Sequence, residues 1–137
     1  MSKMHKYEVE YSLEQLGNTF ERFRSAVGEA ADGDELKQDG VIQRFEFTFE
    51  LLWKTVKLFL AYLGKAIGTP REALKEAFRQ GFFADEQTYL EMLEDRNLCS
   101  HAYDFATARR IFTKIQERYL SAMEGLIAVL REKAGKI

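Results

Sequence analysis

Residues 96 to 103 read Arg96, Asn97, Leu98, Cys99, Ser100, His101, Ala102, Tyr103: an Arg, four residues, a His, one residue and a Tyr. Each type brings a different tool. A guanidinium is always cationic and presents a planar fork of donors that matches phosphate oxygens. An imidazole gains or loses a proton near neutral pH, and a phenol can serve as a nucleophile. The trio suits phosphate chemistry. The same residues can instead be a surface Arg, a helix-ending His and a packing Tyr, because matches to so short a pattern are frequent. The neighbours of Arg96 shift the balance. An exposed helical Arg commonly has a carboxylate three or four residues away, whereas Arg96 has Met92, Leu93, Cys99 and Ser100 at those spacings. Arg96 is therefore expected on a less polar stripe (Tyr89, Met92, Leu93, Cys99), drawing its partner from outside its own helix.

Composition limits what surrounds this stretch. With 137 residues, 46% apolar and 13% aromatic, the chain can bury one real core and is too short for two, so residues 1–137 are expected to form a single domain. Twenty Lys and Arg against 22 Asp and Glu leave a net charge of -2, which argues against a basic face binding nucleic acid by counterion release. Any RNA contact must be local. The single cysteine, Cys99, excludes an intrachain disulfide and a thiolate metal cluster; without a CxxC partner it reads as a buried small residue more readily than as a nucleophile. The polar start (Met1 to Tyr7) and the lack of any apolar run near ~18 residues point to a cytoplasmic protein with neither signal peptide nor membrane span.

Helical periodicity runs through almost the whole chain. Leu13, Leu16, Phe20, Phe23 and Val27 step by three and four, predicting a first helix from near Ser12. A polar loop is expected around Gly33 and Gly40. From Val41 to Leu63 the seam is Phe45, Phe49, Leu52, Val56, Phe59 and Leu63, while Phe47, Leu51, Leu58 and Leu60 place apolar groups on other faces; such a helix belongs in the middle of a bundle or at a subunit interface. Gly64 and Gly68 end it. Thr69, Pro70 and Glu72 read as a helix start, with a cap, a Pro at the first helical position and a Glu three residues on, and that short helix stops at Gly81. Asp85 caps a helix through about His101, and Asp104 caps a last long one with the stripe Ala108, Ile111, Ile115, Tyr119, Ala122, Leu126. The expected fold is all-α, an antiparallel up-and-down bundle of four main helices plus one short helix.

Several residues invite over-reading. Glu46 and Glu50, four apart on the central helix, can hold a metal or move protons, but His101 is the one His away from the N-terminus and no Glu, two residues, His element accompanies them. They are expected to line a groove or to pair with Lys54 and with cations such as Arg96, and no metal is expected. His5 is assigned no role. Trp53 and the Phe residues sit at core spacing, and Gly64 and Gly68 lack the Lys and Ser or Thr of a phosphate loop; no cofactor is expected.

The run Arg96 to Tyr103 with Asp104, the segment Phe45 to Lys54 (FEFTFELLWK) and the Thr69, Pro70, Arg71 helix start together resemble the nucleotidyltransferase substrate-binding protein family, a branch of the HEPN superfamily of small helical bundles. The resemblance extends from about residue 10 to residue 130, and the polar Asn97 after Arg96 agrees with the HEPN pattern. It implies a partner, a minimal nucleotidyltransferase encoded alongside in a toxin–antitoxin-like module. It also implies one of two jobs: a ribonuclease toxin restrained by the transferase, or a non-catalytic subunit that presents a nucleotide or other substrate to it.

The chemistry gives the ribonuclease reading a concrete form. RNA is cut without metal when a base takes the 2′-hydroxyl proton, an acid protonates the leaving 5′-oxygen and a cation stabilises the pentacoordinate phosphate. His101 is assigned the proton and Arg96 the charge; Asn97, Ser100 and Glu50 are assigned to substrate binding. One His serves a two-proton mechanism poorly, so a two-fold homodimer uniting two copies of Arg96 and His101 is expected. Tyr103 lies between two helices, where its hydroxyl can accept a nucleotide from the partner enzyme and so place negative charge two residues from His101; the alternative is a half-buried Tyr capping a backbone carbonyl.

Overall fold

The computed structural model describes residues 3–99 and 104–137, and every regular element among them is helical. Helix α1 (Lys3–Glu29) is followed by a single 3-10 turn (Ala30–Asp32), then α2 (Glu35–Tyr62), α3 (Pro70–Arg79), α4 (Glu86–Cys99), α5 (Phe105–Lys114), a π-helical turn (Ile115–Tyr119) and α6 (Leu120–Ala134). The backbone stays helical through both ends of the π-turn, so residues 105–134 form one rod. Four long units and the short α3 make the all-α bundle that the periodicity predicts.

The stop and start signals act as their chemistry requires. Thr69 caps α3, its hydroxyl accepting from the Glu72 N–H at 3.2 Å, with Pro70 opening the helix. The Asp85 carboxylate accepts from the Thr88 N–H at 3.2 Å at the head of α4, and Asp104 accepts from the Ala106 N–H at 3.2 Å at the head of α5. Gly64 (φ 86°) and Gly81 (φ 80°) follow α2 and α3 in the left-handed region that an ordinary side chain resists.

Two boundaries depart from the sequence reading. Helix α1 begins well before Ser12 and takes in His5. Helix α2 begins at Glu35, so Gly40 lies inside it rather than in a loop. The reason is local: Asp34 accepts from the Lys37 N–H at 3.0 Å as an N-cap, and Lys37 Nζ reaches back to Asp32 at 2.7 Å, so a polar first turn closes without an apolar stripe.

Helix α2 is the central element and packs against α1, α3, α4 and α5. Its Phe45 ring lies 6.3 Å from Phe23 of α1 and stacks at 5.7 Å on Tyr119 of the π-turn. All three rings are fully buried, so one aromatic cluster joins three helices. A buried hydrogen bond at 2.6 Å between the hydroxyls of Ser12 and Thr55 fixes α1 against α2. Tyr89 of α4 donates to the Ala122 carbonyl at 2.7 Å and fixes α4 against α6.

The π-turn keeps the last rod on the core. Its inward residues Ile111, Ile115, Tyr119 and Met123 are four apart and all buried. In a straight α-helix three such steps would carry the side chain roughly 120° around the axis. The wider turn, closed by the Leu120 N–H on the Ile115 carbonyl, absorbs that drift.

Candidate phosphate-handling site at the end of helix α4

Arg96 lies in the last turn of α4, and its guanidinium pairs with the Glu50 carboxylate of α2. The predicted partner from outside its own helix is therefore Glu50. Three more contacts build the pair. Trp53 Nε1 donates to Glu50 at 3.1 Å, Lys54 Nζ lies 3.3 Å from its other oxygen, and the Arg96 guanidinium carbon sits 5.9 Å from the centre of the Phe49 ring. Glu50, Trp53 and Lys54 follow at helical spacing on α2, which is why one turn of one helix supplies all three. Burial pushes the Glu50 carboxyl up, but the bonds from Trp53, Lys54 and Arg96 outweigh it and hold it below the usual carboxylate range.

Asn97 is exposed, and its side-chain oxygen accepts from Arg96 at 3.1 Å. That leaves Arg96 oriented by two oxygens, one charged and one neutral, with the edge of its guanidinium near the surface. Ser100, His101 and Tyr103, the other predicted site residues, lie outside the described residues. The site joins Arg96, Asn97 and Glu50.

A groove of about 550 Å³ opens between α2 and α5 beside Cys99. Its walls are mixed: Phe47 and Phe105, both more than half exposed, stand with Ile111 on the apolar side, and Glu35, Asp39 and Glu46 form an acidic stripe. Three carboxylates repel a phosphate backbone, so the groove in one chain is not a phosphate track, and Arg96 is not among the residues that line it. Cys99 is buried, and desolvation, with the nearby Glu46 and Asp95 charges, pushes its thiol up to about 12. It is a packing residue and not a nucleophile. Among the described residues no group of His, Cys, Asp and Glu is arranged to hold a metal ion, and no helix is long and apolar enough to cross a membrane.

The position of Arg96 differs from the sequence reading in one respect. The core face of α4 carries Thr88, Tyr89, Met92, Leu93, Asp95 and Cys99, so Arg96 stands at the edge of that stripe and Asp95 is the charged residue within it. Sequence reasoning missed Asp95, although a signal existed: it is three residues after Met92 and four before Cys99. Its carboxylate, 4% exposed, accepts from the Tyr119 hydroxyl at 2.5 Å and lies 3.4 Å from both Lys114 Nζ and Arg110. Lys114 and Arg118 also reach Glu91, at 3.6 and 2.8 Å, so a polar ladder ties α4 to the last rod.

The chain is a small all-α bundle in which an Arg at the end of one helix pairs with a carboxylate of the central helix that an indole of the same helix also bonds. Residues 7–132 match the family model described as nucleotidyltransferase substrate binding protein like, and the chain belongs to that family. It is 32% identical over 101 residues, 69% of this chain and 67% of the relative, to the probable ribonuclease HepT of Haemophilus influenzae. A Thermus thermophilus protein of known crystal structure is similar at TM-score 0.70 and 29% identity over 90% of this chain and 98% of that one. The fold is shared with HI0074 of Haemophilus influenzae, described as the fold of a substrate-binding domain of a nucleotidyltransferase, at TM-score 0.72 and 24% identity over 87% of this chain and 98% of that one.

Proposed function

We propose that the protein is a metal-independent endoribonuclease that works as the partner of a minimal nucleotidyltransferase in a toxin–antitoxin-like pair. The observation that carries this reading is the braced Arg96: a guanidinium held at a helix end by Glu50 and Asn97, with Trp53 fixing Glu50 in turn. A cation so preorganised needs little reorganisation as charge builds on a phosphate. The likeness to the probable ribonuclease HepT supports it.

In this reading His101 takes the proton of an RNA 2′-hydroxyl. The freed oxygen attacks the adjacent phosphorus, Arg96 stabilises the pentacoordinate phosphate, and the bond to the 5′-oxygen breaks as that oxygen receives a proton. The products are a 2′,3′-cyclic phosphate and a 5′-hydroxyl. Asn97 and Ser100 contact the substrate, and Glu50 holds the guanidinium until a phosphate arrives. A homodimer supplies the second His101 for the second proton. The exposed rings of Phe47 and Phe105, with the exposed Leu98, favour such an interface beside the motif.

Regulation follows from Tyr103. Its phenolic oxygen attacks the α-phosphorus of a nucleotide bound to the transferase, pyrophosphate leaves, and the phenol proton goes to solvent. The phosphodiester on Tyr103 then places negative charge and bulk near Arg96. The alternative, a non-catalytic subunit presenting a nucleotide to the transferase, uses the same residues and is favoured by the description of HI0074. Cleavage of RNA in EDTA by the wild type, lost in Arg96→Ala and His101→Ala with folding intact, is expected; nucleotide binding without any RNA cleavage selects the alternative.

A further inference from the structure

We propose that Asp95 is the positioning residue of this site: anchored by Tyr119, it sets the rotation of the last turn of α4 and thereby aims Arg96 at Glu50. The inference rests on the reading of Arg96 as the working cation.

A carboxylate that is 4% exposed is an expensive way to join two helices. An apolar side chain would pack α4 on the last rod at less cost, but apolar contact has no direction. The bonds of Asp95 do. Among the described residues its partners come from the last rod: the Tyr119 hydroxyl at 2.5 Å, Lys114 at 3.4 Å and Arg110 at 3.4 Å. Tyr119 is itself immovable, since its ring is fully buried and stacked on Phe45 at 5.7 Å with planes 13° apart. The π-turn is what brings Tyr119 to this place, because it holds position 119 on the core line that a straight helix would leave.

Successive helix residues point about 100° apart. With Asp95 directed at the last rod, Arg96 must point sideways, toward α2, where Glu50 receives it. Without the anchor, the turn that carries Arg96 is held against the last rod by apolar packing, which does not fix its rotation, and the long side chain amplifies any rotation at the guanidinium. A shift of about 1 Å in a catalytic group can cost on the order of a hundredfold in rate.

The single tryptophan gives a readout that does not depend on activity. The Trp53 indole N–H donates to Glu50, which holds Arg96, whereas Asp95 faces the other helix. In the full chain, the indole N–H resonance is compared in the wild type, Arg96→Ala, Asp95→Asn and Tyr119→Phe, with Tm recorded for each. Asp95→Asn keeps the shape of the side chain, and Tyr119→Phe keeps the ring. Both are expected to move the indole signal in the same direction as Arg96→Ala, at temperatures where all four are folded. A signal at the wild-type position in folded Asp95→Asn and Tyr119→Phe overturns the proposal. RNA cleavage tests the underlying reading separately. Where the wild type cuts RNA, both variants are expected to lower kcat at least tenfold with KM within about threefold, and Asp95→Asn in an Arg96→Lys background to cost no more than a further twofold. A kcat within twofold of wild type, or equal fractional losses in the two backgrounds, also overturns it, because independent effects multiply and effects through one residue do not.

Discussion

Removing one oxygen from Tyr119 isolates the polar anchor from the packing around it. Phe at this position keeps the fully buried ring and its stack on Phe45, so Tyr119→Phe deletes the hydroxyl that Asp95 accepts at 2.5 Å and little else. A hydrogen bond to a charged group contributes about 1.5–3 kcal/mol. Lys114, 28% exposed and 3.4 Å from the same carboxylate oxygen, can draw in and recover part of it, which leaves an expected loss of about 2 kcal/mol. Unfolding entropy near 2.1 cal/mol/K per residue gives about 0.29 kcal/mol/K for a chain of this length, so Tm should fall by roughly 7 °C. Thermal and urea unfolding monitored by circular dichroism measure both quantities. The pH dependence adds a check on the cause. Burial first, then the bond to Asp95, raises the Tyr119 phenol above its ordinary value of 10.0. The neutral phenol is therefore favoured in the folded state; its contribution is complete below pH about 10 and is lost as pH rises above that, at about 1.4 kcal/mol per pH unit. The Phe variant lacks this loss, so its deficit should shrink above pH 10. A loss below about 0.5 kcal/mol at pH 7, or a deficit that stays constant to pH 11, would refute the reasoning.

Cys99, with its thiol pushed up from 9.0 to about 12, should hold a thiolate fraction of about 10⁻⁴ at pH 8 against about 10⁻¹ for an ordinary thiol; a dithiobis-nitrobenzoate reagent should label the native protein at least a hundredfold more slowly than the denatured chain, and equal rates contradict this. Light scattering should return the mass of two 15.9 kDa chains at micromolar concentration, with Phe47→Glu shifting the population toward monomer; a monomeric wild type would contradict the proposed dimer. Incubation with the partner nucleotidyltransferase, ATP and Mg²⁺ should add adenylate mass to the wild type and none to Tyr103→Phe, with RNA cleavage falling as the mass appears; unchanged labelling of Tyr103→Phe moves the acceptor elsewhere.

Much of the bundle was legible because its signals are local. The caps Thr69, Asp85 and Asp104 bond within three residues of themselves, and the seam of α2 repeats at one period. The start of α2 was hidden because residues 35–40 offer one apolar side chain, Leu36, and it is exposed; the turn is closed by Asp34 and Lys37 rather than by an apolar stripe. The Arg96–Glu50 pair was largely legible: the missing carboxylate near Arg96 announced a distant partner, and Glu46 and Glu50 on an otherwise apolar helix called for cations such as Lys54 and Arg96, of which Glu50 takes both. Asp95 was not read because its partners Tyr119, Lys114 and Arg110 come from another helix, and no periodicity in α4 alone reveals which rod it faces. The π-turn was equally silent, since inward residues four apart at 111, 115, 119 and 123 fit a straight helix nearly as well over any short window.

In the proposed reaction Arg96 and His101 cut RNA by transfer of the phosphoryl group from the 5′-oxygen to the adjacent 2′-oxygen, without metal. The chemical ends of the cut decide it. A defined RNA oligonucleotide is incubated with the purified protein in EDTA, and the new termini are identified by mass spectrometry and by 5′-labelling with and without prior phosphatase treatment. The expected products are 2′,3′-cyclic phosphate ends and 5′-hydroxyl ends that label directly, formed by the wild type and by neither Arg96→Ala nor His101→Ala. Termini bearing a 5′-phosphate, a requirement for added divalent metal, or wild-type cleavage by either variant would contradict it.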